Sequence, residues 1–203
     1  MAGTSKYDVY AVHKTEYVTP RKPAFVEVKP AQHLAITGRG KPGDKLFQAH
    51  IGALYNVAFT VKMARKSAGQ DYTVSKLEGL WWDSVNPEKP WGEPREEWNW
   101  KLMIRTPDFI KEKEIAEALR KLREKGKPAE VAEVKLEALS EGRCVQMLHI
   151  GPYDKEQPTI EQMRVLVEAH GLSLHGRHHE IYLSDPRRVA PAKLRTILRH
   201  PVR

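Results

Sequence analysis

The sequence places one carboxylate in the middle of a strand-like run near its carboxyl end, His178-His179-Glu180-Ile181-Tyr182-Leu183. Side chains alternate across a strand, so Glu180 and Tyr182 share one face with His178, while Ile181 and Leu183 share the other. An acid beside an aromatic ring can attract a cation, or take a proton from water when it is partly desolvated. We therefore expect a ligand-binding face centred on Glu180, the candidate catalytic residue.

A second strand-like segment, LEGLWWDS at positions 77 to 84, occupies the position in the first half of the chain that RHHEIYLS occupies in the second half. Strand alternation puts Glu78, Leu80 and Trp82 on one face, which we predict to be the counterpart of Glu180 and Tyr182. Such rings and carboxylates suit a flat, lipophilic or cationic ligand. The alternative, that Trp81 or Trp82 fills a core, is equally open.

Four further residues are candidate ligand contacts, because aromatic and imidazole side chains can line such a groove: Tyr55, Trp100, His149 and Tyr153. His149 comes just before the turn Gly151-Pro152-Tyr153, where a structural hydrogen bond is slightly favoured over a ligand contact.

A metal site or cofactor is not expected from the spacing of these residues. On a strand His178 and His179 point to opposite faces, and the single cysteine, Cys144, cannot complete a cluster with them. Covalent catalysis is not expected either, because there is no GxSxG motif and Cys144 lies in an apolar strand.

The composition indicates a protein with its own core: 203 residues, of which 40% are hydrophobic. No apolar run approaches the roughly 18 residues of a membrane span, and a single cysteine fits a reducing interior, so a cytoplasmic protein is expected. The net charge is +8, and six basic residues without an acid follow Asp185. Lys193, Arg195 and Arg199 share one strand face, for which a solvated surface is favoured over nucleic-acid binding.

The order of predicted elements indicates an α+β fold. Residues 1–22 are predicted as an extended lead-in and 23–203 as one domain of two pseudo-symmetric strand-helix-strand-strand modules, with antiparallel sheets around a central groove. Module one covers about 24–106, a connecting helix about 108–126, and module two about 130–203. In module one the predicted elements are strands 24–28 and 33–37, a helix from Asp44 to Lys66, and strands 71–83 and 97–105 joined by a loop at 86–94. In module two they are paired strands 134–139 and 143–150, a helix ending at Gly171, and strands 172–183 and 193–198.

Three strings, HHEIYLSDPRRVAPAKLRTILRHPV, QMLHIGPYDKE and DYTVSKLEGLWW, resemble the stand-alone GyrI-like small-molecule-binding family from about Ala24 onward. The resemblance implies a duplicated SHS2 module with a central groove, the fold also used by the effector domains of multidrug-sensing transcription regulators. It also implies that the acid of the Glu-x-Tyr string, Glu180 here, lies in the pocket and meets drug cations. The 22-residue lead-in is too short for a DNA-binding domain, so a regulator is not expected.

The resemblance further implies a reaction. Similar stand-alone members include hydrolases that open the cyclopropane ring of cyclopropanoid DNA-alkylating natural products, as detoxification. Carried over to this sequence, Glu180 would polarise a water molecule, while Trp82 and Tyr182 would stack on the flat substrate. A non-catalytic protein that binds or sequesters drugs remains the alternative. An interaction with gyrase follows from the family name alone and has no supporting feature in the sequence.

Overall fold

Eight antiparallel strands form one open sheet in the computed structural model, which describes residues 6–83 and 98–203. The predicted loop at 86–94 and the first residue of the predicted strand 97–105 lie outside these residues. The strands are β1 Ala24–Val28, β2 Ala31–Arg39, β3 Leu77–Trp82, β4 Asn99–Arg105, β5 Lys135–Leu139, β6 Gly142–Ile150, β7 His178–Tyr182 and β8 Arg195–Pro201. The helices are α1 Val9–Val12, α2 Lys45–Ser67, α3 Glu112–Glu124 and α4 Gln157–Ala169. This confirms the α+β fold.

The helix predicted from Asp44 to Lys66 is present as α2. The side chain of Asp44 accepts a hydrogen bond from the backbone nitrogen of Phe47 (2.8 Å), which satisfies one of the free donors at the start of the helix. Leu54, Val57 and Val61 recur at helical spacing and are buried against the sheet. No helix among the described residues is long and apolar enough to cross a membrane.

The two halves of the sheet meet at its centre, where β3 pairs with β7. From that seam one half runs β3-β4-β2-β5 and the other β7-β8-β6-β1, so the two halves have the same order of equivalent strands. The first strand of the domain, β1, thus extends the second half, and β5 extends the first. The expectation that strands 134–139 and 143–150 pair with each other is therefore wrong. A short link between strands suggests a hairpin, but β5 and β6 each find a partner at the edge of a different half.

Of the helices in the described residues, α2, α3 and α4 lie on one face of the sheet. On this helix face, α2 packs over the first half, against Leu34 and Trp100, and α4 packs over the second half through Met163 and Val167. The opposite face, called here the back face, is covered at its centre by the amino-terminal segment. That segment is not uniformly extended, because it contains α1 and buries Tyr17 against Ile181 and Ile197.

Charged side chains are buried on the back face, where they form hydrogen bonds and ion pairs with one another. His179 bridges two carboxylates, with its Nδ1 3.0 Å from Glu141 and its Nε2 3.0 Å from Glu78. Arg199 donates to Glu141 (3.1 Å), and Tyr17 donates to Glu78 (3.2 Å). Arg199 is only 2% exposed, so the prediction that it lies on a solvated face is wrong. The amino-terminal segment, which covers the back face, and these hydrogen-bond partners enclose its side chain.

The back-face network shifts the titration of its members. Burial alone would lower the pKa of His179, but Glu141 and Glu78 raise it to about 9. Burial would raise the pKa of Glu141, but His179 and Arg199 lower it to about 2. His179 is therefore a cation at neutral pH, and this network anchors the centre of the sheet directly beneath the helix face.

Candidate functional site

A cavity of about 540 Å³ lies on the helix face, at the seam of the two halves. It is bounded by α2, by the central strands β3 and β7, by the residue before α4 and by the segment that follows β7. Its lining combines aromatic and aliphatic side chains with the carboxyl groups of Glu156 and Glu180. The segment after β7 adds Asp185 and two arginines. Both halves of the chain therefore contribute to one site.

The floor of the cavity is set by the pairing of β3 with β7, which places Gly79 opposite Glu180. The indole nitrogen of Trp81 donates to the hydroxyl oxygen of Tyr182 (3.1 Å), and that hydroxyl is hydrogen-bonded to Glu180. Burial, together with Glu180 and Glu156, raises the pKa of Tyr182 well above its usual value. The phenol thus keeps its proton and, having accepted from Trp81, donates to and orients Glu180.

The walls of the cavity are aromatic rings from both halves. Trp81 stacks near Phe47 of α2, with ring centroids 5.8 Å apart and an interplanar angle of 24°, and meets Trp98 edge-on at 6.0 Å. Tyr153 meets Tyr182 edge-on at 5.6 Å. Such walls offer flat surfaces for stacking and electron-rich ring faces for a cation.

One end of the cavity is acidic. Glu156, at the start of α4, and Glu180 are both buried there, and a ligand atom from each lies within 4.8 Å of the other and of a nitrogen of His178. The Nε2 atom of His178 is 3.6 Å from Glu180 Oε1. Burial, with help from His200 and His179, holds the pKa of His178 well below its usual value, so its imidazole is neutral. Glu156 and Glu180 are the acidic groups that this end presents to a ligand.

Four of the predicted site residues line this cavity, and four do not. Those that line it are Glu180, Tyr182, Tyr55 and Tyr153; those that do not are Glu78, Trp82, Trp100 and His149.

The error for Glu78 and Trp82 is one of strand parity. Matching the two strings position by position aligns Glu78 with His178, but the actual antiparallel register puts Trp81 opposite His178 and Gly79 opposite Glu180. Odd-numbered positions of β3 therefore share the helix face, and the indole that lines the cavity is that of Trp81. Glu78 lies instead in the back-face network, and the ring of Trp82 lies beneath the Arg177 guanidinium, 3.7 Å from its centroid.

Trp100 and His149 have structural positions. Trp100 is fully buried under α2, with its ring edge-on to Phe47 at 5.2 Å and packed over Gly38, where a side chain would collide with it. The ring nitrogens of His149 lie 3.0 Å from Thr159 Oγ1 and 3.2 Å from the carbonyl of Pro152, so it ties β6 to the start of α4.

Sequence reasoning missed Glu156, Trp98 and Phe47. Glu156 ends the string QMLHIGPYDKE and precedes Pro158 of the first turn of α4. This pattern indicates the start of a helix, but it does not indicate the direction of the Glu156 carboxylate. Phe47 is one of the regularly spaced apolar residues of α2, and helical spacing does not distinguish a residue of the cavity wall from a residue of the core.

Gly79 provides a test of the cavity floor. A Cβ atom at this position would lie 3.0 Å from Tyr182 Oη and 3.1 Å from Trp81 Nε1, so Gly79→Ala should displace the pair that orients Glu180. We expect at least a tenfold loss of affinity for a lipophilic cation, measured by fluorescence titration, with a stability loss of about 1–3 kcal/mol from overpacking. Gly52→Ala in α2, where the added Cβ meets nothing within 4 Å, is the matched control and should keep wild-type affinity. Equal affinity for both variants would contradict this arrangement.

Comparison with known proteins places the chain in a family. The model of the GyrI-like small molecule binding domain matches residues 21–203. Two structures from Listeria innocua, one described as a hydrolase and one as an uncharacterized conserved protein, are each 35% identical to the chain, with TM-scores of 0.89 and 0.87. Each alignment covers 98% of this chain and 100% of the other.

More distant structures share the fold. The C-terminal domain of EcmrR is 15% identical, with a TM-score of 0.58 over 90% of this chain and 97% of that one. Among curated proteins, none matches the chain significantly. The match across nearly the whole length, together with an aromatic, acidic cavity at the seam of two similar halves, shows that the chain belongs to the family of GyrI-like small molecule binding domains.

Proposed function

We propose that this protein binds flat, lipophilic or cationic small molecules in the cavity and hydrolyses cyclopropanoid DNA-alkylating compounds by opening their strained ring, as a detoxification. The observation that carries the proposal is the placement of Glu180, a buried carboxylate fixed by Tyr182, on the floor of an aromatic cavity. The 35% identity to a protein described as a hydrolase supports chemistry beyond binding.

Binding rests on the cavity walls. A flat polycycle would stack on the indole of Trp81 and against Phe47, and Tyr153 adds a further ring to the lining. A positive charge on the ligand would be drawn to Glu156 and Glu180, in surroundings poor in competing water. A cavity of about 540 Å³ lies in the range of drug-sized sites.

Catalysis rests on Glu180. Its carboxylate would take a proton from a water molecule as the water oxygen forms a bond to the cyclopropane methylene. The carbon–carbon bond of the ring breaks, its electron pair moves into the conjugated acceptor of the substrate, and that acceptor takes up a proton. The sum is the addition of one water molecule. Tyr182 positions Glu180 through its hydrogen bond and does not itself need to change charge.

Ring strain in the substrate reduces what the protein must supply. A positioned base contributes on the order of a hundredfold or more, and holding the substrate beside the water adds to it. The second candidate function, binding without chemistry, is favoured by the same walls and acids, because they suit any lipophilic cation.

The test separates the two functions. The protein is incubated with a cyclopropane-bearing alkylator in oxygen-18 water, and the product is followed by mass spectrometry. Hydrolysis predicts protein-dependent product that has gained one labelled water, with many turnovers per chain. Saturable binding of the compound without labelled product would overturn the hydrolase proposal in favour of sequestration, and the absence of both would overturn binding of this class.

A further inference from the structure

We propose that Glu156, His178 and Glu180 form a binding site for a divalent transition-metal ion at the acidic end of the cavity. Two of these ligands come from β7 and the third from the residue before α4, so the site forms only in the folded chain. Each residue offers one ligand atom, and these atoms all lie within 4.8 Å of one another. Among the described residues, no other His, Cys, Asp and Glu group has this arrangement.

The spacing suits a small ion. Ligand atoms about 2.0–2.2 Å from a tetrahedral zinc ion are separated from one another by about 3.4 Å. The 3.6 Å between His178 Nε2 and Glu180 Oε1 is close to this value, and the Glu156 ligand atom lies within 4.8 Å of both.

The donor chemistry is also suitable. His178 is 1% exposed and its Nε2 atom lies 3.6 Å from Glu180 Oε1, so an imidazole nitrogen, a common zinc ligand, lies beside the carboxylates. The carboxyl groups of Glu156 and Glu180 are buried within 4.8 Å of each other, so a divalent cation bound between them would pair with both. The hydrogen bond from Tyr182 fixes the orientation of one ligand, Glu180, as outer partners do in metal sites.

The mixed donor set points to the class of ion. One imidazole nitrogen with two carboxylate oxygens favours zinc, cobalt, manganese or iron over calcium and magnesium, which prefer all-oxygen sites. Three protein ligands leave a coordination position free, and the adjoining cavity gives water or a ligand access to it. The site shares Glu180 with the proposed hydrolysis but does not depend on it. Because Glu180 cannot bind an ion and act as the base at the same time, the two uses of this end of the cavity are alternatives.

The experiment titrates tag-free, chelator-treated full chain at pH 7.5 with cobalt(II), followed by visible absorption, and with zinc(II), followed by calorimetry. We expect one ion per chain with a dissociation constant in the micromolar range or below. His178→Ala and Glu156→Gln should each weaken binding at least tenfold. His170→Ala is the matched control, because His170 is exposed on the far end of α4 and should leave the titration unchanged.

The titrations can also contradict the proposed metal site. Absence of saturable binding up to millimolar metal, or wild-type affinity in both His178→Ala and Glu156→Gln, would overturn the site. Glu156→Gln keeps the shape of the side chain, so it remains informative should His178→Ala fail to fold, which circular dichroism reports. No organic substrate is present in the titration, so failure of the hydrolase proposal and failure of the metal site are read separately.

Discussion

Replacing Glu180 by glutamine is expected to reduce turnover of a cyclopropanoid compound by a hundredfold or more. The amide has almost the same shape and still accepts the hydrogen bond from Tyr182, but it cannot take a proton from water. Binding of a lipophilic cation should also weaken, because one of the two carboxylates at the acidic end is removed. Binding of an uncharged flat compound should change little, since Trp81 and Phe47 are untouched.

Initial rates from the labelled-water assay, and affinities from titration with a cationic and a neutral dye, check these expectations. Glu168→Gln is the matched control, because this glutamate is exposed on α4 and pairs with Arg164 away from the cavity. Turnover in Glu180→Gln that equals turnover in Glu168→Gln would refute the assignment of Glu180 as the base.

The second large effect is on stability, which should fall as the pH rises from 6.5 to 8.5. His179 has a folded-state pKa of about 9, above the ordinary value near 6.5 of the unfolded chain. Its stabilisation is therefore fully present below pH 6.5 and is lost as the pH rises through 9, by a few kcal/mol at most. His200, with its pKa lowered to about 4 by burial, acts with the opposite sign and reduces stability as the pH falls below 6.5.

Thermal unfolding between pH 4 and 8.5 measures this profile, and a maximum near pH 6.5 is expected. His179→Gln should be less stable than the wild type at pH 6.5 and should show a flatter profile above it, because the buried cation between Glu141 and Glu78 is gone. A wild-type melting temperature that stays constant or rises from pH 6.5 to 8.5 would contradict the proposed charge state of the network.

Local sequence patterns were sufficient to predict many of the helices and strands. The helical spacing of apolar residues and the cap at Asp44 located α2, and alternation around Glu180 correctly separated it from Ile181. The exchange of β1 and β5 between the two halves was not predictable in this way, because it depends on which sheet edges meet after each half has formed.

The site residues could be predicted only where alternation within a single strand determines which face a side chain occupies. Glu180 and Tyr182 follow from the alternation of β7, but the choice between Trp81 and Trp82 depends on the register between β3 and β7, and a shift by one residue exchanges the faces. Glu156 could not be found, since its approach to Glu180 arises from the packing of α4 on the second half. The buried charges of the back face look like surface residues in the sequence, because their partners are distant along the chain.

The central claim is that ligands occupy the cavity at the seam of β3 and β7. A crystal structure of the protein with a bound lipophilic cation tests it most directly. We expect the cation to stack on the indole of Trp81, with its charge within about 5 Å of the Glu180 carboxylate, where attraction across a desolvated site is strong. A cation bound instead in the surface groove between α2 and α3, beside Phe59 and Met63, with the seam cavity unchanged, would contradict it.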